Sequence, residues 1–330
     1  MKKLLIIIIT TVVGLLLLLA WFMLIDVREV ISNLQKINPA MLLIAVIFYV
    51  LSFFIRSLRW NIIMRRIKAM GMWRTFVLYM AGNYINFLVP IRAGELAKSL
   101  FLKKMDNIPV STSFPAIVFD KILDLLPVFL IIILVPFVGL KLGETLWLVI
   151  LIVFVICLIL FTLYYLGIRS HRALFRLFKI SFFWLPKKIK PRVLDFFSRG
   201  IYGLSIAKQK PAALASIVLL TFIAVLTDTL YMSFILRAFG IELSLLLVFI
   251  GYTLFNLSYV LPTPPAQIGS VEVILLLIFS GAFGIEKNLM SSVIIIIHSI
   301  TGIYILFSGI ISTTSLGIGV IETIKRGSKA

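Results

Sequence analysis

Uninterrupted apolar stretches of roughly 18 or more residues, the length of helix that crosses a hydrocarbon core, recur from one end of this chain to the other. No other feature narrows the fold so far. Polar residues are clustered and do not alternate with apolar ones, which excludes a lipid-facing barrel. A mean hydropathy of +1.15 and a hydrophobic content of 62% exceed what the core of a 330-residue soluble protein requires. The chain therefore reads as an all-α polytopic integral membrane protein.

Membrane segments are expected near residues 4–25, 40–55, 75–90, 114–138, 145–167, 212–237, 243–261, 265–283 and 288–318. The segment 75–90 is interrupted by Gly82, Asn83, Asn86 and Pro90, so it either crosses or enters and returns. Lys2 and Lys3 ahead of Leu4–Ile25 imitate a secretory signal. An apolar run of about 20 residues with no small-x-small cleavage site reads instead as a signal anchor. Cys157, the single cysteine, allows no intrachain disulfide or cysteine-based metal cluster, and no metal or cofactor is expected.

Basic residues set the expected orientation. With 32 Lys+Arg against 13 Asp+Glu the formal charge is +19; in a membrane protein this points to cytoplasmic loops facing anionic lipid and not to nucleic acid. Arg56, Arg59, Arg65, Arg66, Lys68 and Arg74 are read as one cytoplasmic loop without an acidic residue among them. The stretch Arg169 to Lys210 is the next such region. It opens with Arg169, Arg172, Arg176 and Lys179 opposite Leu174, Leu177 and Phe178, the pattern of an interfacial amphipathic helix. The nearly balanced connections Asp26 to Pro39, Leu140 to Glu144 and Arg237 to Glu242 then lie outside. Both termini fall in the cytoplasm, in the plasma (inner) membrane of a prokaryote.

This topology implies a single transmembrane domain of six to eight crossings. Residues 1–39 form the signal anchor and a short outer loop, 40–167 a first repeat, 168–211 the basic cytoplasmic connection, 212–318 a second repeat of opposite sense, and 319–330 a cytoplasmic tail. Each repeat contains a proline-broken segment, around Pro90 and around Pro262 to Pro265. Inverted repeats with interrupted helices in matching places are how many transporters build a midplane site.

The candidate site residues gather at these breaks. In the first half they are Asn86, Arg92, Glu95, Lys98, Asp120, Lys121 and Asp124; in the second, Gln267 and Glu272. A helix starting after Pro90 puts Arg92, Glu95 and Ser99 on one face, with Arg92 suited to a phosphate or a partner carboxylate. Lys98 is read as substrate-facing or as snorkelling to the cytoplasmic interface. Asp120 and Asp124, four apart, share a helix face and need a cation or a proton between them. Arg92, Lys121 or a protonated carboxyl are the candidates, and a wet interfacial position is the bland reading. Asp228 lies mid-span with Thr227 and Thr229 as polar neighbours. His298 either meets one of the second-half carboxylates or packs as a core histidine. Asp120, Asp124, Asp228, Glu272 and His298 together make a possible proton relay.

Three stretches carry a family resemblance: NFLVPIRAGE at Asn86 to Glu95, FDKILDLL at Phe119 to Leu126, and PTPPAQIGSVE at Pro262 to Glu272. They resemble the transmembrane region of lysylphosphatidylglycerol synthases, a flippase-like family with stand-alone members and members fused to soluble transferase domains. The chain departs from it at Asp120-Lys121, where members often carry Glu-Arg, and at Pro265-Ala266-Gln267, where they often carry Pro-Gly-Gly. The resemblance implies movement or presentation of lipids with anionic or modified headgroups: a phospholipid, an aminoacylated phospholipid or a polyprenyl-phosphate glycolipid. Its expected partners are membrane lipids and a lipid-synthesising enzyme. No Walker loop, dinucleotide fingerprint, HExxH or Gly-x-Ser-x-Gly elbow is present, so an enzyme is not expected. An intramembrane transferase and a scaffold for a lipid enzyme remain as alternatives.

Overall fold

A computed structural model describes residues 2–89, 93–135, 210–257 and 264–317, together with separate helical residues between 148 and 180. All regular elements among them are helical. In the first half these are α1 (Lys2–Phe22), α2 (Val27–Gln35), α3 (Pro39–Met64), α4 (Met72–Leu88), α5 (Gly94–Asp106), α6 (Val110–Leu123) and α7 (Pro127–Leu134). In the second they are α8 (Pro211–Ala238), α9 (Leu245–Leu257), a 3-10 turn at Pro265–Gln267, α10 (Ser270–Leu276) continued by a π-helical turn at Leu277–Ala282, and α11 (Lys287–Ser315). The expected connection 168–211, the span 145–167 with Cys157, the loop Leu140 to Glu144 and the tail 319–330 lie wholly or mostly outside the described residues.

Local chemistry fixes where the helices start. Asp26, Asn38 and Glu286 each accept two backbone N–H groups from the first turn of α2, α3 and α11, satisfying donors that a helix leaves open. Pro39 and Pro211 sit at first-turn positions that need no N–H. Between α1 and α2 the chain bends by 82°.

Both breaks become hairpins that return to the face they came from. α4 and α5 are 17 and 13 residues long, about 25 and 20 Å of helix at 1.5 Å per residue, against a hydrocarbon core of about 30 Å. Arg74 in the first turn of α4 and Lys68 just before it both reach Asp106, the last residue of α5, at 2.7 Å. The hairpin's two ends therefore meet at one face. In the second half, Pro265–Ala282 is apolar and long enough on paper to cross, but Ala266, Gln267 and Gly269 all have positive φ. Only Ser270 to Ala282 remains helical. Phe279 and Phe283, late in this arm, pack on Gly251 of α9. Expected as two membrane segments flanking a break, 243–261 and 265–283 are antiparallel in their described parts, two arms that come back to one face.

Hydrogen bonds place the turns on two faces. Asn38 N–H reaches the Ala238 carbonyl (3.0 Å), Asp26 N–H reaches Asn288 Oδ1 (2.8 Å), and Asn288 Nδ2 donates to Glu29 (2.6 Å). The turns before α2, α3, α9 and α11 thus share a face opposite the basic loop between α3 and α4. The first hairpin enters from the basic face and the second from the other. Each stands between two long elements, α3 and α6–α7 in one half and α8 and α11 in the other.

Close packing holds the halves together, as expected where lipid offers no hydrophobic drive between helices. α3 lies along α8, with Tyr49 and Tyr231 at 4.7 Å between ring centroids. A Cβ on Gly309 of α11 would strike the Tyr84 ring of α4. α3 does not stop near residue 55 but runs to Met64, so Arg56 and Arg59 are intrahelical and not part of the basic loop. Trp60, Ile63 and Met64, all buried, extend the helix past them.

The basic face is expected in the cytoplasm. In a Cys157→Ser background, Lys104→Cys, at an exposed position on that face, should react with an impermeant maleimide only after cell lysis, and Glu242→Cys should react in intact cells. The reverse pattern would invert the orientation.

Candidate functional site

Arg56 and Arg59 project from one side of α3 into the space between α6 and α8. Arg59 is fully buried and bonds to several groups at once. It donates from Nε to Asp120 Oδ1 (2.8 Å), from Nη2 to the Asp120 carbonyl (3.0 Å) and Asp124 Oδ1 (2.8 Å), and from Nη1 to Thr221 Oγ1 (3.2 Å). The planar, multi-donor guanidinium suits this geometry, which a lysine ammonium would not fill. Arg56 donates to Ser52 Oγ (2.7 Å) and to both carboxylate oxygens of Asp228, and its Nε stands 3.7 Å from Asp124. Arg59 thus supplies the positive charge that Asp120 and Asp124 need.

The first hairpin adds the rest of the network. Lys121 lies 3.4 Å from Asp124 and 3.5 Å from Glu95. Glu95 also accepts from Asn86 Nδ2 (2.9 Å) and Lys98 Nζ (3.0 Å), while Asn86 Oδ1 holds the Gly94 N–H at 2.8 Å. Asn86 therefore ties both sides of the break together. Lys98 does not snorkel: it is fully buried, with its ammonium 4.3 Å from the Tyr79 ring centroid, an arrangement that stabilises a desolvated cation. Four cations, Arg56, Arg59, Lys98 and Lys121, are interlaced with four carboxylates, Glu95, Asp120, Asp124 and Asp228. Asp124 is the node, within 4 Å of three of the cations.

In the second half Glu272, early in α10, meets His298 of α11 at 2.6 Å, and the other ring nitrogen of His298 reaches the Ala266 carbonyl at 3.0 Å. His298 is therefore polar-paired and does not merely fill the core. A cavity of about 370 Å³ joins the two halves. Of the candidate residues, Asn86, Glu95, Lys121, Asp124, Asp228, Gln267 and His298 are on its wall. The other described candidates are not on the wall. Lys98 and Asp120 are buried behind the wall, Glu272 connects to it through His298, and Arg92, like Pro90 and Pro262, lies outside the described residues. Arg56 is the wall residue that sequence reading missed. Its signal was present: it sits among Phe53, Phe54, Ile55 and Leu58, too apolar a setting for a loop arginine.

Comparison with known proteins finds membrane-protein relatives over nearly the whole chain. The family model described as "Lysylphosphatidylglycerol synthase TM region" matches residues 4–309. A UPF0104 membrane protein of Methanothermobacter thermautotrophicus is 23% identical over 324 residues, covering 92% of this chain and 94% of that protein. A UPF0104 membrane protein of Pyrococcus horikoshii is 29% identical over 289 residues, 81% of this chain and 84% of its own length. The glycosyltransferase AglD of Haloferax volcanii is 31% identical over 108 residues, 32% of this chain and 17% of that enzyme. No solved structure matches.

Proposed function

The chain belongs to the lysylphosphatidylglycerol synthase TM region family, and from that premise we propose that it moves a lipid with a charged headgroup between leaflets. The observation that carries this reading is the charged cavity between hairpins that enter from opposite faces. A headgroup crossing hydrocarbon needs such a polar path, and charges held inside a membrane are costly enough to imply use. Arg56 and Lys121 present cations to a phosphate, and Glu95, Asp124 and Asp228 present carboxylates to an amine. Acyl chains stay in lipid while one repeat rocks against the other. The candidate lipids are a phospholipid, an aminoacylated phospholipid and a polyprenyl-phosphate glycolipid. The partial match to a glycosyltransferase keeps lipid-linked sugars among them and also favours, as second reading, an intramembrane transferase.

Reconstitution with leaflet-labelled lipids of several headgroup classes tests this. Arg56→Ala and Lys121→Ala should each slow movement of the preferred lipid about tenfold or more, since a hydrogen bond to a charged group contributes about 1.5–3 kcal/mol. Equal movement in wild type and both variants across every class counts against transport. Turnover of a headgroup would favour the transferase.

A further inference from the structure

The hydrogen bonds of His298 specify how many protons the second-half pair holds. A carbonyl oxygen only accepts, so the 3.0 Å contact between Nε2 and the Ala266 carbonyl requires hydrogen on Nε2. The 2.6 Å contact between Nδ1 and Glu272 Oε1 then needs one more proton between them, either as imidazolium with carboxylate or as imidazole with carboxylic acid. If that proton leaves for water in the cavity, neutral imidazole and carboxylate remain. One ring hydrogen then serves two acceptors, and one of the two contacts must open.

What those contacts hold gives this proton its role. Glu272 is on α10, Ala266 is in the turn that starts the returning arm of the second hairpin, and His298 is on α11. The turn is held in a backbone form that alanine and glutamine rarely adopt, with φ of 53° at Ala266 and 62° at Gln267. It therefore depends on external ties. Glu272 Oε2 is buried without a hydrogen-bond partner among the described residues, so His298 is the one group among them that anchors that carboxylate. Among the described residues no other titratable group competes for the role. Arg56 of α3, Glu95 of α5, Lys121 and Asp124 at the end of α6, and Asp228 of α8 face the same cavity but are ion-paired to one another. The phenols Tyr49, Tyr79, Tyr231 and Tyr252 line it as well. α1, which packs on the turn at Gly14, has no titratable residue from Leu4 to Phe22.

We propose that the Glu272–His298 pair is a proton-binding site that latches the second re-entrant hairpin to α11 when occupied and frees it when empty, making the proton the coupled ion. This rests on the transport reading for its use, though not for its existence. Of the five residues that suggested a relay, it selects two and assigns Asp120, Asp124 and Asp228 to the ion-pair network.

The test measures the latch without lipid movement. Spin labels at Leu277→Cys and Ile303→Cys, both at exposed positions, in a Cys157→Ser background report the distance between the hairpin arm and α11 by pulsed electron resonance in reconstituted protein. The mean distance should change by about 2 Å between acidic and alkaline buffer, the scale of helix shifts at packed interfaces. Glu272→Gln supplies an amide N–H to Nδ1 in place of the titrating proton and should keep the acidic distance at every pH. His298→Gln, unable to bridge both partners as the ring does, should show one pH-independent distance. A wild-type distance that does not respond to pH, or a response that survives Glu272→Gln, would overturn the proposal. Under an imposed pH gradient, wild-type lipid movement should change several-fold and that of Glu272→Gln should not. Absence of all lipid movement alongside an intact pH response of the distance would refute transport and leave the proton site standing.

Discussion

Arg59→Ala is expected to destabilise the bundle by about 3–5 kcal/mol, the cost of removing one partner from a buried ion pair. Arg59 and Asp120 are both fully buried. Oδ2 of Asp120 already has no hydrogen-bond partner among the described residues, and loss of Arg59 strips Oδ1 of its donor as well. Asp124 fares better because Arg56 and Lys121 remain beside it. The damage therefore centres on Asp120, and the double variant Arg59→Met, Asp120→Leu should recover most of the loss, since well-packed apolar replacements of buried pairs are often neutral. Unfolding midpoints in detergent measure both effects. An Arg59→Ala protein as stable as wild type would mean that the pair contributes nothing to the fold.

Gly94→Ala is expected to prevent the first hairpin from closing and to reduce lipid movement more than tenfold. A Cβ at residue 94 would collide with the Gly82 carbonyl oxygen and with the Asn86 side chain. Backbone cannot swing aside as a flexible side chain can, so α4 and α5 must separate. Separation also breaks the bond that Gly94 N–H donates to Asn86 and the one that Asn86 donates to Glu95. Overpacking typically costs about 1–3 kcal/mol, and losing a hydrogen bond to a carboxylate adds about 1.5–3 kcal/mol. Gly281→Ala, which meets nothing within 4 Å, is the matched control and should behave as wild type. Comparable loss in both variants would mean that hairpin closure is not what the first substitution disturbs.

The helical membrane class and the breaks were legible because hydrocarbon demands long apolar helices and proline interrupts them. The direction of the chain after a break was not. Prolines near residues 90 and 262–265 mark where a helix ends, whereas the return depends on Asp106 meeting Arg74 and Lys68, a contact across more than thirty residues that no local pattern announces. The carboxylates of the site were found from the cost of charge in a membrane. Of their partners Lys121 was legible, beside Asp124 on the same helix, but Arg56 and Arg59 were not, because counting basic residues treats every arginine near a helix end as a loop residue. Arg56 and Arg59 belong to the helix because apolar residues continue it to Met64, and they are neutralised by aspartates 61 to 172 positions away. The snorkelling alternative for Lys98 fails because its burial depends on Tyr79 arriving from α4, the facing arm of the hairpin, while Glu95 lies one turn earlier on its own helix.

Asp124 at the centre of three cations has a kinetic consequence. A phosphate that reaches Arg56 and Lys121 does not find them vacant; it must displace a carboxylate already within 4 Å of each. Binding is then an exchange of one anion for another, and its net gain is the small difference between two similar interactions. The carboxylate stays close by to retake its place, so the visitor's residence time is short. A receptor built for retention would be poorly served by such a competitor, but a carrier is limited by how fast it lets go, and a permeating species must be held tightly enough to enter and loosely enough to leave.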